Sequence, residues 1–317
     1  MMFELDGHSL SLALLADETP STPPALSSDA RAAMQQSAAI VGEVLTHGKA
    51  VYGINTGFGA LAGKRIADAD LSALQYNLVR SHAAGVGTPL PNAVVRRIML
   101  LKANSLASGA SGISPTLVDA LLALLATDVV PVIPERGSVG ASGDLAPLAH
   151  LALALIGEGE ARHNGTLLSG KDVTSAAGIE PLVLGPKDGL ALLNGTQVSA
   201  ALAIEGLLAG ERLLRSAVVS GALSVEALAG SHAPFDERIH AARNQQGQAA
   251  VADAFRALLT ESPIWRSHQD KDCHRVQDPY SLRCQPQVLG AIWDTLAHAA
   301  RVLEREANAA TDTPLVF

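Results

Sequence analysis

Residues 137 to 147 read Gly-Ser-Val-Gly-Ala-Ser-Gly-Asp-Leu-Ala-Pro. The reagent such a stretch can offer is its own backbone. The amide nitrogen of Gly143 can attack the carbonyl carbon of Ala141 and close a five-membered ring. Loss of one water completes the ring. Loss of a second, carrying the Ser142 hydroxyl, leaves an exocyclic methylene. The product is a 4-methylidene-imidazole-5-one, an electrophile that no ordinary side chain supplies. Residue size suits the step. Gly143 has no Cβ to shield its nitrogen, and Gly137 and Gly140 permit the tight backbone that presses attacker onto carbonyl. Pro134 and Pro147 stiffen the two ends of the loop.

Other uses of a glycine-rich loop fail on spacing. A phosphate loop needs Lys followed by Ser or Thr after its last glycine, and here Gly143 precedes Asp144. The dinucleotide fingerprint needs G-x-G-x-x-G, whereas these glycines fall at 137, 140 and 143. A nucleophile elbow needs one residue between serine and glycine, and Gly143 follows Ser142 directly. On the loop alone a plain turn remains the alternative, because a motif is a hypothesis until its surroundings agree.

The surroundings are helical. Of 317 residues 48% are hydrophobic, but only 3% are aromatic, and alanine and leucine dominate. That composition favours packed helices over a β-sandwich. Helices are expected from Ser28 or Asp29 to a stop at Gly48, over Asp70–His82, Pro91–Ser108 and Ser114–Thr127, and over Leu145–Gly157 directly after the loop. Tyr52 to Gly63 carries four glycines and reads as a loop. Residues 158–186 are punctuated by Gly and Pro and look less regular. Lys187–Leu228 has helical spacing with few breakers apart from glycines, and a last long helix is expected over Pro279–Ala310. A short strand and helix open the chain and run into a Pro/Ser-rich linker, Thr19–Ser28. The loop therefore sits at the N-terminus of a helix, where partial positive charge would draw electron density as negative charge develops.

Charge and cysteines exclude several classes. Twenty-three basic and 31 acidic residues give a net charge of −8, with no basic stripe, so nucleic acid is not an expected partner. Cys273 and Cys284 are the only cysteines and form no C-x-x-C. This suits a reducing cytoplasm and argues against a disulfide scaffold or structural zinc. The histidines at 150, 163, 232, 240, 268, 274 and 298 show no helix-spaced ligand set, so no metal is expected. The N-terminus lacks a signal-peptide pattern, and the longest apolar run, Leu145–Ile156, is too short to span a bilayer.

Five ordered segments resemble the aromatic amino acid ammonia-lyase family. They are VYGINTGFG at Val51–Gly59, SHAAG at Ser81–Gly85, the stretch Gly137–His150, LNGTQ at Leu193–Gln197 and QDPYSLRCQPQ at Gln277–Gln287. The resemblance runs from about Val51 to the C-terminus and leans to the histidine-specific branch. It implies a mainly α fold, with an N-terminal globular domain over residues 1–186 carrying the cofactor loop. Residues 187–317 would be the incomplete start of a long-helix bundle. It also implies a carbon–nitrogen lyase acting on a small amino acid, L-histidine going to urocanate and ammonia. The methylidene-imidazolone formed from Ala141, Ser142 and Gly143 would be the electrophile, with no external cofactor. Tyrosine elimination or an aminomutase is the near alternative, and a non-catalytic assembly fragment the distant one.

The resemblance assigns roles to single residues. Elimination from an α-amino acid faces a poor leaving group and a weakly acidic β-proton, and covalent capture of the amine on an electrophile addresses the first. Tyr52 matches the family tyrosine that removes the β-proton. An ordinary phenol ionises near about 10, so this task needs positive charge or a helix-end field close by. Arg283 matches the arginine that binds the substrate carboxylate through its planar fork. Tyr280, three residues earlier and on the same face if helical, matches a tyrosine beside the cofactor, and Gln277 an amide near it. Asn194 matches an asparagine that hydrogen-bonds the imidazolone or substrate, although a helix-interrupting cap before Gly195 is the plainer role. His82 stands where the family faces the substrate ring, and histidine there suits an imidazole or a phenol.

The match departs at Thr311–Phe317. Relatives continue beyond this point, usually with asparagine at the place of Thr313, and the further region brings an acid and an aromatic to the site. A C-terminally shortened chain with weak activity is the expectation. It would be a homo-oligomer, a tetramer as in the family or a dimer, using its apolar helix faces.

Overall fold

Helix ends written in the sequence set the boundaries of most elements. The computed structural model describes residues 3–16, 24–267 and 276–317. Cys273, His268, His274 and the linker residues Thr19 to Pro23 lie outside them. The chain is mainly α, with three small sheets of two or three strands. Helix Ser28–His47 stops at Gly48, whose left-handed backbone (φ 70°) lets its N–H bond Val44 and Leu45 carbonyls. Its cap is Ser27, not Ser28 or Asp29. Ser27 has extended backbone, and its Oγ accepts from Ala30 N at 3.2 Å, the geometry an N-cap requires. Helices Leu71–His82, Asn92–Ala107, Pro115–Ala126 and Leu145–Leu155 lie where expected.

Three stretches differ from the sequence expectation. Residues 160–169 are not irregular. Strands Glu160–His163 and Thr166–Ser169 form an antiparallel hairpin, which Val130–Pro131 joins through Glu160–His163. Its turn is Asn164–Gly165, both at positive φ, the pairing favoured in two-residue hairpins. The run from Lys187 to Leu228 is two helices, Asp188–Leu193 and Gln197–Ala227, broken at Asn194–Thr196. The last helix is likewise divided at Cys284, into Tyr280–Arg283 and Gln285–Ala307. Residues 229–267, for which sequence spacing indicated nothing, carry helices Glu237–Arg243, Gln246–Leu259 and Pro263–Ser267.

The contacts divide the chain into two compact units, residues 1–204 with 303–317, and residues 205–302. In the second, Val218, Val225, Val251, Phe235, Phe255 and Leu282 make a core, with the two phenylalanine rings stacked at 4.9 Å. In the first, helix Asn92–Ala107 is buried on nearly every face, and it carries Arg97, Lys102, Asn104 and Ser105 into the interior. Burial of polar groups at this depth needs partners. Asn104 donates to Ala307 O at 3.0 Å, and Ser105 donates to Ala309 O at 3.1 Å. The closing segment is thus threaded into the first unit. Val316 packs with Val41 and Ile54, and its N–H donates to Ala110 O at 2.8 Å.

A buried ion pair anchors the same segment. Lys187 Nζ lies 2.6 Å from Asp312 Oδ2, with both side chains essentially without solvent. Removing one partner strands the other charge in the interior. Asp312→Ala is expected to lower unfolding stability by about 3–5 kcal/mol in urea titration. A loss below about 1 kcal/mol, the range of a surface pair, would show that the interior is not dry there.

Candidate active site

The Gly137–Pro147 stretch is held from both sides by one carboxylate. Asp144 caps helix Leu145–Leu155 and is 1% exposed. Its carboxylate accepts from Ser138 Oγ, Ser199 N and Ser199 Oγ, each at 2.7 Å. Ser138 precedes the tripeptide, and Ser199 belongs to helix Gln197–Ala227. Asp144 N donates to Gly195 O at 2.8 Å, and Gly143 and Gly195 form a parallel bridge. Between these fixed points the backbone is driven into left-handed conformation, with φ 60° at Ser142 and 97° at Gly143. For serine this costs about 1–2 kcal/mol. At Gly143 no other residue fits, because a methyl there would overlap the Gly195 nitrogen and carbonyl oxygen.

These residues suit the cyclised group. The left-handed turn falls at Ser142, between the attacking nitrogen and its target carbonyl. Ala141 and Ser142 are exposed, so the methylene would open to solvent or substrate. Gln197 Oε1, close to Gly195, is buried and has no hydrogen-bond partner among the described residues. It is a spare acceptor at the foot of the loop.

The wall behind Gly143 is the helix break at Asn194. Helix Asp188–Leu193 ends there in extended backbone (φ −74°, ψ 149°). Asn194 Nδ2 donates to Thr313 O at 2.6 Å, and Lys102 Nζ donates to Asn194 O at 2.5 Å. Thr311 Oγ1 accepts from Gln197 Nε2 at 2.8 Å. Burial pushes Lys102 down to about 8, with Lys187 adding repulsion and Asp312 and Asp144 resisting. Sequence spacing gave no role to Lys102 or to Ser138, Gln197 and Ser199. The one available signal was a lysine directly after the apolar run Ile98–Leu101.

His82 ends helix Leu71–His82, and its Nδ1 lies 2.8 Å from Leu78 O. A carbonyl only accepts, so Nδ1 carries a proton, which in the neutral tautomer leaves Nε2 as an acceptor. Three residues on, Gly85 N donates to His150 Nε2 at 3.1 Å, and Gly85 backs onto Gly137. Pairing of Val86 with Arg136 fixes this approach. Tyr52 is half exposed, with its ring edge-on to Phe58 at 6.2 Å. The adjoining Gly53 packs against Leu190 and Pro314. Through these contacts the segments bearing His82 and Asn194 meet the loop, and the segment bearing Tyr52 meets the closing segment.

The second unit holds the other three. Tyr280 begins a one-turn helix after Pro279, and the Arg283 guanidinium carbon lies 4.2 Å above its ring. Arg283 Nε donates to Asp278 O at 3.0 Å. Arg283 and Asp278, with Ser231, Pro234, Gln277 and Gln287, help line a pocket of about 340 Å³, which Tyr280 does not line.

The chain matches the family model for aromatic amino acid lyases over residues 11–317. It is 60% identical to the histidine ammonia-lyase of Paracidovorax citrulli over 293 residues, 92% of this chain and 57% of that protein. Among solved structures, an ergothionase from Treponema denticola superposes with a TM-score of 0.94 at 30% identity, over 100% of this chain and 63% of that one. Histidine ammonia-lyase from Trypanosoma cruzi superposes at 0.87 with 38% identity, over 100% of this chain and 58% of that one. The chain spans a little over half the length of the curated relatives it matches.

The His150 contact carries a pH dependence. Burial lowers its pKa below the ordinary 6.5, and Glu160 opposes this only partly. The folded value lies below the unfolded one, so the unfolded chain binds more protons in the window between them. Stability is full above about 6.5 and is lost as pH falls through the folded value. His150→Phe should remove this acid-side loss in thermal melts between about pH 5 and 7. An unchanged profile would assign the loss to other groups.

Proposed function

This chain belongs to the aromatic amino acid lyase family, and we propose that the protein it represents eliminates ammonia from L-histidine to give urocanate. The observation that carries this is the left-handed Ser142–Gly143 turn, clamped between the Asp144 carboxylate and the Gly195 backbone. The cyclised tripeptide supplies an electrophilic methylene able to convert the substrate amine into a better leaving group. Tyr52, half exposed at the start of the glycine-rich segment Tyr52–Gly63, takes the β-proton. His82 offers Nε2 as an acceptor, which suits the N–H of an imidazole ring. Arg283 binds the carboxylate with its fork, with Gln277 and Tyr280 beside it. Asn194 has one amide hydrogen committed to Thr313 and presents the remainder of its amide to the imidazolone or the substrate.

The same family membership supports a cytoplasmic homo-oligomer. Leu213, Val219 and Leu223 on the long helix, and Val288 and Ile292 on helix Gln285–Ala307, are exposed. Leu214, Val218, Leu258, Trp293 and Leu296 help line an apolar cavity of about 710 Å³. Apolar surface on this scale calls for cover by protein. No helix among the described residues is long and apolar enough to cross a membrane.

The intact mass of the wild-type protein is expected to fall short of the sequence mass by two waters, and Ser142→Ala to show neither methylene nor measurable turnover. A protein at full sequence mass would contradict the cofactor. In a turnover assay with histidine, tyrosine and phenylalanine, histidine should be preferred. His82→Leu should cost histidine roughly tenfold to a hundredfold more than phenylalanine in kcat/KM. Equal losses would make His82 structural.

A further inference from the structure

We infer that Lys102 is a positioning residue for formation of the electrophile: its buried ammonium fixes the Asn194–Gly195 peptide that presses Gly143 towards Ala141. This rests on the cyclised tripeptide proposed above and goes beyond it to the group that makes cyclisation possible. The geometry runs through two consecutive peptide groups joined at Gly195. Lys102 Nζ donates to Asn194 O at 2.5 Å. The next residue, Gly195, meets Gly143 in a parallel bridge and accepts from Asp144 N at 2.8 Å. No side chain cushions the approach, since both partners are glycine. A shift of the Asn194 carbonyl therefore reaches the Gly143 backbone through backbone atoms alone.

Placement of a lysine here is costly unless the charge is used. The side chain is 1% exposed, and Asn194 O is the acceptor found for it among the described residues. A neutral side chain of similar length would fill the space without desolvating an ion. The charges that face it are Asp312 from the closing segment, Asp144 from the loop helix and Lys187 from the start of helix Asp188–Leu193. The two carboxylates hold the proton on Lys102 near neutral pH, where a charged donor makes a shorter and stronger bond than a neutral one. Asp144 thereby acts twice, clamping the loop and stabilising the cation behind it.

The test compares wild type, Lys102→Met and Lys102→Arg in the full-length protein, reading the fraction that has lost two waters by intact mass. Folding is followed separately by circular dichroism. Wild type should be fully cyclised, folded Lys102→Met at least about tenfold slower to cyclise, and Lys102→Arg substantially restored. A folded Lys102→Met that cyclises like wild type overturns the inference. An uncyclised wild type removes the proposed cofactor and this inference with it. Should Lys102→Met fail to fold, the wild-type chain decides. Recovered unfolded, and so not yet cyclised, from inclusion bodies and then refolded near about pH 7 and about pH 9.5, it should cyclise several-fold more slowly at the higher pH, as Lys102 loses its proton. Simple activation of the amide nucleophile would run the other way. Equal or faster cyclisation at the higher pH contradicts the role given to Lys102.

Discussion

Everything in the first unit depends on the contact between two glycine backbones, Gly143 and Gly195. At van der Waals distance a Cβ on Gly143 has no space, so the loop can be pushed only by peptide groups. Peptide groups are directional and must be satisfied when buried. The polar residues arranged around this contact follow from that need. Asp144 gathers three donors. Asn194 is pinned through its side chain by Thr313 and through its carbonyl by Lys102. The strain held at Ser142, about 1–2 kcal/mol for a left-handed serine, persists because these bonds over-determine the backbone.

The interior charges belong to the same design. Lys187 and Asp312 form a dry pair, and Lys102 sits within reach of its field. Buried ion pairs are weak contributors to stability but expensive to break. Their effect here is to lock the closing segment, residues 308–317, against the helix break that carries Asn194. The segment also packs Pro314 against Gly53, next to Tyr52. One stretch of chain thereby contacts two of the segments to which the proposed chemistry is assigned.

The helices were legible because their caps and apolar spacing are local. Gly48, Ser114 and Pro115 marked ends that the structure keeps. The hairpin at Asn164–Gly165 carried its own signal in an Asn-Gly pair that composition alone obscured. The break at Asn194 was visible only as a cap preceding a glycine. Its reason, a backbone that must leave the helix to meet Gly143, is a long-range contact. The same holds for Lys102, which pairs with a residue 92 positions away. A lysine that follows an apolar run signals burial but does not name its partner. Ser142 was read from the chemistry of its own loop, Tyr52 and Asn194 through resemblance, and the groups packed around them needed coordinates.

The central claim is that the clamped backbone closes on itself, and electron density through residues 141–143 tests it most directly. A crystal structure of the whole protein at a resolution that separates single atoms should show a planar five-membered ring joining Gly143 N to the Ala141 carbonyl carbon. A methylene should stand at the former Ser142 Cβ, with Gly195 still against the ring. An open peptide, with the Ser142 hydroxyl present and φ at Ser142 relaxed to negative values, would contradict the account.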